Sequence, residues 1–156
     1  MKEVVRMIDD GFFKKESFKD RNDYFRKTSE FLLEKDYVKE SFEEAIVARE
    51  EKFPTGLRTL GGIVSIPHTE ADHVLKEAII VTIFENPVEF ISMEDMKTIL
   101  PVDISFMLLV SEPSKHLECL QQLISVVSNI NFQSLKTIKN KEEFISMIKQ
   151  INIKVG

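Results

Sequence analysis

Apolar positions recur every three or four residues in four segments of this 156-residue chain, which is the spacing of a helix with one buried face. Polar residues that commonly cap helices precede three of the segments. Ser41 and Glu44 form a capping box for a helix that ends near Glu51. The first twenty residues carry only a weak pattern. The predicted helices begin near Asp23, Ser41, Ser114 and Asn140.

Shorter apolar runs rich in β-branched residues indicate strands between these helices. Ile63–Ile66 is a short strand, and Ala78–Phe84 is a longer one. Glu85–Pro87 then predicts a turn into a return strand, Val88–Ile91. Ile104–Val110 is almost continuously apolar, which is typical of a central strand buried on both faces. We therefore predict an α/β fold, a three-layer α/β/α sandwich with a mixed sheet that is mostly parallel and has one antiparallel hairpin.

Composition narrows the class of protein. Residues 1–156 fit a single domain, and 43% hydrophobic with 30% charged residues is ordinary for a globular chain. The formal net charge of −5 argues against nucleic acid as a partner, because phosphate backbones require a basic face. Cys119 is the only cysteine, so no intramolecular disulfide can form. No apolar stretch is long enough to span a bilayer, and we predict a cytoplasmic protein without membrane insertion.

A single imidazole at the end of a predicted strand is the leading candidate for chemistry. His68 follows Pro67, whose ring fixes φ and removes the amide donor, so the histidine is expected at the rim of the sheet. The Gly61-Gly62 break upstream allows backbone to approach a ligand closely. A second histidine, His116, lies in the first turn of a predicted helix, where an anion is favoured.

Other chemistries fit the residues less well. His68, Glu70, Asp72 and His73 include ordinary metal ligands, but their spacing matches no helical two-histidine motif and no cysteine assists. The segment PTGLRTLGG lacks the Gly-Lys-Ser/Thr ending of a phosphate-binding loop, and no GxSxG occurs. We therefore predict no metal and no organic cofactor. A metal-dependent hydrolase that uses His68, Asp72 and His73 remains a third option.

Several motifs together resemble the enzyme IIA domain of the bacterial sugar phosphotransferase system, mannitol/fructose class. The similarity extends from about Val4 to Ile148 in segment order as well as in motif. The motifs that carry it are Arg49-Glu50, Pro54–Leu57, Ile63–Thr69 and His116-Leu117.

Within that class, FPTGL and HTEADHV look most like the galactitol-type branch. The other branches more often have PTGxGxGxAxPH, and this chain departs from that pattern at Arg58–Gly62. The departure bears on the sugar more than on the chemistry.

The resemblance implies a phosphocarrier without a cofactor. His68 would accept a phosphoryl group from the phosphocarrier protein HPr and pass it to a cysteine of an enzyme IIB, which serves a membrane enzyme IIC. Arg49 would clamp the phosphoryl oxygens, and His116 would lie beside them. Thr55 and Thr69 are further candidates for donating a hydroxyl to the phosphate or to a partner.

The surface around His68 is expected to receive its partners. An apolar rim around His68, to which Phe53, Leu57 and Leu60 contribute, would suit transient docking.

The alternative function is a regulatory protein of the same fold. In such a protein, phosphorylation of His68 changes the affinity for another protein instead of supporting sugar uptake.

Overall fold

A five-stranded mixed sheet lies between two layers of helices in the computed structural model, which describes residues 2–135 and 137–155. Short 3-10 turns are formed by Ala71–His73 and Pro113–Lys115. The helices are α1 Lys2–Asp9, α2 Arg21–Glu34, α3 Phe42–Lys52, α4 His116–Val127, α5 Phe132–Leu135 and α6 Lys141–Val155. The strands are β1 Phe13–Glu16, β2 Gly56–Arg58, β3 Ile63–Ser65, β4 Ala78–Ile91 and β5 Ile99–Leu109.

The strand order is β1-β4-β5-β3-β2, with both parallel and antiparallel neighbours. β1 with β4 and β3 with β5 are parallel, whereas β4 with β5 and β2 with β3 are antiparallel. The predicted α/β class and mixed sheet are confirmed. The expected excess of parallel pairs with one hairpin is wrong, because the short segment Gly56–Arg58 turns back on β3 and makes a second hairpin.

Two hydrophobic cores cover the two faces of the sheet, because side chains alternate along its central strands. In β5, Phe106 and Leu108 belong to the core beneath α1, α4 and α6, whereas Met107 and Leu109 belong to the core beneath α2 and α3. Burying an aliphatic or aromatic side chain contributes about 1.5–3 kcal/mol. The continuous apolar run that predicted a central strand therefore reflects burial on both sides.

The predicted turn at Glu85–Pro87 is wrong, as is the separate return strand after it. β4 continues through this segment to Ile91, with a bulge at which residues 84–87 lie opposite Asp103 alone. Proline lacks the amide for a ladder hydrogen bond, and a bulge tolerates it within a strand. The strand that returns beside β4 is β5, and its register begins at Ile91↔Ile99.

The sequence predicted the positions of most helices, but it predicted their capping residues less accurately. Asn140 Oδ1 accepts from the backbone N–H of Glu143 at 2.9 Å, as the capping pair predicts. The expected side-chain cap at Ser41 is wrong, because its hydroxyl contacts His73 instead. Ser114 lies in a 3-10 turn, and Lys115 occupies the cap position of α4.

The weakly patterned first twenty residues hold α1 and β1, which the sequence did not predict. Val4, Met7 and Ile8 are buried, and β1 pairs in parallel with β4 at the edge of the sheet. Within the part of the chain that the structure describes, no helix is both long and apolar enough to cross a bilayer.

One edge of the sheet collects the ends of several elements. β3 and β5 are parallel, so their carboxyl ends meet there, and His68 follows β3 by three residues. His68 forms a bridge with Leu108, and the N–H of Leu108 donates to the carbonyl of Pro67 at 3.0 Å. α4 begins at His116 shortly after β5 ends. The predicted rim position of His68 is confirmed.

Candidate functional site

The imidazole of His68 is held in one orientation by its own backbone. Its Nδ1 lies 2.9 Å from the carbonyl oxygen of Ile66. A carbonyl oxygen only accepts, so Nδ1 carries the proton and donates it, which leaves the lone pair of the neutral ring on Nε2. Burial lowers the pKa of His68 to about 4, with smaller contributions from His116 and Arg49. At neutral pH the ring is therefore an uncharged nucleophile.

A second imidazole lies against the first. The ring centroids of His68 and His116 are 4.9 Å apart, with their planes at 64°. His116 is the first residue of α4, where the helix dipole favours an anion. Its Nε2 is buried and has no hydrogen-bond partner among the described residues. Burial also lowers the pKa of His116, with a smaller contribution from the charge of Arg49.

Arg49 brings a permanent positive charge to the two imidazoles from the last turn of α3. Its Nη1 lies 3.4 Å from Oε1 of Glu70, and its guanidinium carbon lies 4.5 Å from the centroid of the Phe53 ring. The Nε atom is buried and has no acceptor in the described chain. Arg49 therefore pairs with the loop after His68, and its buried Nε keeps one unused hydrogen-bond donor.

The two threonines are buried, and both hydroxyl protons are already donated. Thr55 Oγ1 donates to Oε1 of Glu50 at 2.8 Å, and Thr69 Oγ1 donates to Oε2 of Glu70 at 2.8 Å. Each threonine is bonded to a carboxylate that is a neighbour of Arg49. Glu50 follows Arg49 in the sequence, and Glu70 forms an ion pair with it.

The residues of the metal alternative do not assemble into a ligand group. Nδ1 of His73 lies 2.7 Å from the hydroxyl of Ser41, at the start of α3. Among the residues that the structure describes, no group of three or more histidine, cysteine or acidic side chains is arranged to hold a metal ion. His73 instead joins the loop after His68 to helix α3.

The apolar surface near the site differs from the expected rim. Gly56 pairs with Ser65 and Arg58 with Ile63, so Leu60 lies at the tip of this hairpin, at the end of β3 opposite His68. Phe53 and Leu117 are 46% and 66% exposed and adjoin Arg49 and His116 respectively.

Two residues of interest escaped the sequence analysis. Leu117 was included only as part of a motif, although an exposed leucine directly after a site histidine is a signal for a contact surface. Glu50 is buried with 3% of its surface exposed and accepts both the N–H and the hydroxyl of Thr55. Its signal was a carboxylate adjacent to Arg49, the candidate for a phosphate clamp, but only the fold reveals its burial.

The assembled groups favour an oxyanion attached to an uncharged nitrogen. Arg49 supplies a positive charge and an unpaired donor, and the dipole at the start of α4 adds positive potential around a ring that is uncharged at neutral pH. The unpartnered Nε2 of His116 is a further donor in the tautomer that carries its proton. Transfer of a phosphoryl group depends mainly on positioning and on charge stabilisation of this kind.

Comparisons with known proteins agree with this chemistry. Residues 8–151 match the family "Phosphoenolpyruvate-dependent sugar phosphotransferase system, EIIA 2". A galactitol-specific EIIA component from Escherichia coli strain K12 is 32% identical over 107 residues, which cover 69% of this chain and 71% of the relative. The resemblance to the galactitol-type branch is thereby confirmed.

Solved structures share the fold. The nitrogen regulatory protein IIA-Ntr from Neisseria meningitidis has a TM-score of 0.67 at 23% identity, over 94% of this chain and 99% of that one. A complex of mannitol enzyme IIA with phosphorylated enzyme IIB from Escherichia coli has a TM-score of 0.53 at 21% identity, over 75% of this chain and 77% of that one. Taken with the site, the match over residues 8–151 identifies the chain as a member of the EIIA 2 family of the sugar phosphotransferase system, whose components are phosphotransferase phosphoryl carriers.

Proposed function

We propose that Nε2 of His68 accepts a phosphoryl group from phosphorylated HPr and passes it to a cysteine of an enzyme IIB. The observation that carries the proposal is the hydrogen bond from Nδ1 to the Ile66 carbonyl. It leaves Nε2 as the nucleophile, in a site where buried nitrogens of Arg49 and His116 lack protein partners among the described residues.

The transfer is balanced without a cofactor. The lone pair of Nε2 forms the new bond to phosphorus as the bond from phosphorus to the donor breaks, and the donor keeps that electron pair. The proton on Nδ1 stays in its hydrogen bond to Ile66. In the second step a thiolate of enzyme IIB attacks the same phosphorus, and Nε2 recovers its lone pair.

Arg49 and His116 have distinct tasks in this scheme. Arg49 neutralises charge on the phosphoryl oxygens and donates from Nε, which requires no loss of its contact with Glu70. His116, in the tautomer with its proton on Nε2, donates one further hydrogen bond to the phosphoryl group. Neither group forms a covalent bond.

Thr55 and Thr69 have supporting roles in the proposal. Their hydroxyl protons are committed to Glu50 and Glu70, so each would reach a phosphoryl oxygen only after leaving its carboxylate. We assign them to the support of Arg49 and of the loop after His68, with contact to phosphate or partner as a secondary role.

The proposed physiological role is uptake of a sugar or sugar alcohol. The galactitol-specific relative supports a galactitol-like substrate, and the mannitol IIA–IIB complex supports an enzyme IIB as the acceptor. The substrate would itself be handled by a membrane enzyme IIC, so this chain contacts the sugar only through its partners.

The first test is His68→Ala, with phosphorylated HPr as the donor. We expect wild type to gain one phosphoryl group and the variant to gain none, because an alanine side chain has no nucleophilic nitrogen. Intact-mass spectrometry measures the transfer, and phosphorus NMR assigns the ring nitrogen. Circular dichroism should match wild type, since the rim position is only partly buried.

If His68→Ala still gains a phosphoryl group, the acceptor is another residue, and His116 is the first to examine.

Transfer from the phosphorylated protein to an enzyme IIB of the galactitol type distinguishes a role in sugar uptake from a regulatory role. Wild type that takes up phosphate but passes none to any IIB of its own genome would favour the regulatory alternative.

A further inference from the structure

Glu50 is a buried carboxylate that the proposed transfer does not use. It lies in the last turn of α3, directly after Arg49, and only 3% of its surface is exposed. Burial raises its pKa to about 7. A buried carboxyl group is unfavourable unless its oxygens are hydrogen-bonded, so its partners identify what it holds in place.

Both oxygens of Glu50 are bonded to one residue. Oε2 accepts from the backbone N–H of Thr55 at 2.7 Å, and Oε1 accepts from the Thr55 hydroxyl at 2.8 Å. These bonds attach the segment before β2 to the end of α3. The same residue is thereby restrained in both its backbone and its side chain.

Hydrogen bonds continue from Thr55 to the acceptor histidine. The carbonyl of Thr55 accepts from the N–H of Ile66 at 3.3 Å, and the carbonyl of Ile66 accepts from Nδ1 of His68 at 2.9 Å. Glu50 is therefore connected to the imidazole through two intervening residues. Its helix also carries Arg49, so the connection spans the two elements that contribute the nucleophile and the clamp.

We propose that Glu50 is a positioning residue for phosphoryl transfer, which acts through Thr55 and Ile66 to hold the imidazole of His68 in register with the guanidinium of Arg49. Glu50 touches no reacting atom. The purpose of this role in phosphoryl transfer rests on the proposed function. The orientation of the imidazole can be measured without any phosphate donor. A merely structural Glu50 would anchor the turn and leave the ring unchanged.

Hydrogen-bond chemistry defines a conservative replacement. In Glu50→Gln, the amide oxygen can accept from the Thr55 N–H while the amide nitrogen donates to the Thr55 hydroxyl, because a hydroxyl both donates and accepts. Glu50→Ala keeps neither bond. Thr55→Val keeps the N–H and loses the hydroxyl. Glu50→Gln therefore keeps both hydrogen bonds, Thr55→Val removes one of them, and Glu50→Ala removes both.

The experiment measures the His68 ring by nitrogen NMR, without a phosphate donor. Wild type and Glu50→Gln should show the tautomer with the proton on Nδ1. Glu50→Ala should show mixed tautomers, because the ring is no longer held with Nδ1 against the Ile66 carbonyl. Thr55→Val should fall between them.

Kinetics with phosphorylated HPr supply the second readout. For Glu50→Ala we expect kcat to fall about 100-fold, the cost of misplacing a reacting group by roughly an ångström, with KM unchanged. The matched control is Asp23→Asn, which weakens a carboxylate at the start of α2 that bonds Lys19, Arg26 and Lys27. It should leave both the tautomer and kcat as in wild type.

Specific results would overturn the proposal. A wild-type tautomer in Glu50→Ala would reduce Glu50 to a turn anchor, and an equal shift in Asp23→Asn would trace the effect to lost stability. If Glu50→Ala does not fold, an unchanged ring in Thr55→Val decides against the proposal. A wild-type protein that takes up no phosphate would refute the proposed function instead, since the ring measurement is independent of it.

Discussion

Residue-scale chemistry at the site depends on keeping one imidazole neutral and oriented. Burial disfavours the charged ring, and the nearby guanidinium of Arg49 disfavours it further. The hydrogen bond to Ile66 acts in the opposite direction on the pKa, but it leaves Nε2 as the nitrogen that reacts in the proposed transfer. The result is an uncharged ring beside the positive charge of Arg49, an arrangement that is most favourable when a dianionic phosphoryl group is attached.

The pH dependence of phosphoryl acceptance follows from this burial. With the pKa of His68 lowered to about 4, the neutral ring predominates throughout the neutral range. We expect the single-turnover rate with phosphorylated HPr to stay flat from about pH 6 to about pH 8, whereas an ordinary histidine would lose half its reactive form at 6.5.

Proton NMR titration of the His68 ring checks the same point directly, and a midpoint near 6.5 would contradict it. The lowered pKa of His68 also makes the stability of the fold depend on pH.

Because this pKa is lower in the folded state, the unfolded state binds more protons below 6.5. The free energy of unfolding should therefore fall as the pH decreases from 6.5 toward 4.

At the scale of elements, a very short strand leads to the proposed acceptor. β3 has three residues, yet its extension toward His68 is held from both sides. The N–H of Ile66 donates to Thr55, and the carbonyl of Pro67 accepts from Leu108 of β5. The other end of the hairpin is held by close packing, because Gly61 and Gly62 lie against the segment after α4.

Gly61→Ala tests this second attachment. A Cβ at this position would collide with the carbonyl oxygen of Ile130, so the hairpin or the segment after α4 must move. We expect the free energy of unfolding to fall by about 1–3 kcal/mol, as for other overpacked sites. Urea denaturation measures the change.

The neighbouring Leu60→Ala is the matched control for this experiment. Leu60 is fully exposed at the hairpin tip, so its truncation should change stability by less than about 0.5 kcal/mol. Equal stability of Gly61→Ala and wild type would show that the segment after α4 yields without cost.

Several elements could be predicted from the sequence, and the failures have a physical pattern. α2, α3, α4 and α6 follow local periodicity, which a single segment contains. β4 was divided at Asn86-Pro87 because turn residues and bulge residues look alike until the partner strand is known. α1 is short, and its three buried residues pack against β4 and α6, which are distant in the sequence.

At the scale of the whole molecule, the site is assembled from three separate parts of the chain. α3 brings Arg49, the segment after β3 brings His68, and the start of α4 brings His116. Exposed Phe53 and Leu117 adjoin Arg49 and His116 respectively. A carrier that meets two partners in turn requires a modest contact surface of this kind, from which each partner can dissociate.

Leu117→Ala tests whether this surface receives the donor. Leu117 is 66% exposed, so its loss should leave stability unchanged while it removes apolar contact with the partner. We expect KM for phosphorylated HPr to rise about five- to tenfold with kcat unchanged, the effect of a moderate interface contact. Steady-state kinetics measure both constants.

Leu60→Ala again serves as the control, because Leu60 lies at the opposite end of the β2–β3 hairpin. An equal rise in KM for both variants would place the docking surface elsewhere. An unchanged KM for Leu117→Ala would show that the donor does not depend on this apolar contact.

The sequence by itself determined the α/β class, most of the helices, the central strand and the identity of the acceptor candidate, because periodicity, capping and a histidine after a strand-ending proline are local properties. Tertiary structure alone decided that Arg49 pairs with Glu70, that Glu50 is bonded to Thr55, and that Leu60 lies away from His68. Those relations join residues on different elements. Their distances and burial are set by strand order and register, which no single segment of the chain encodes.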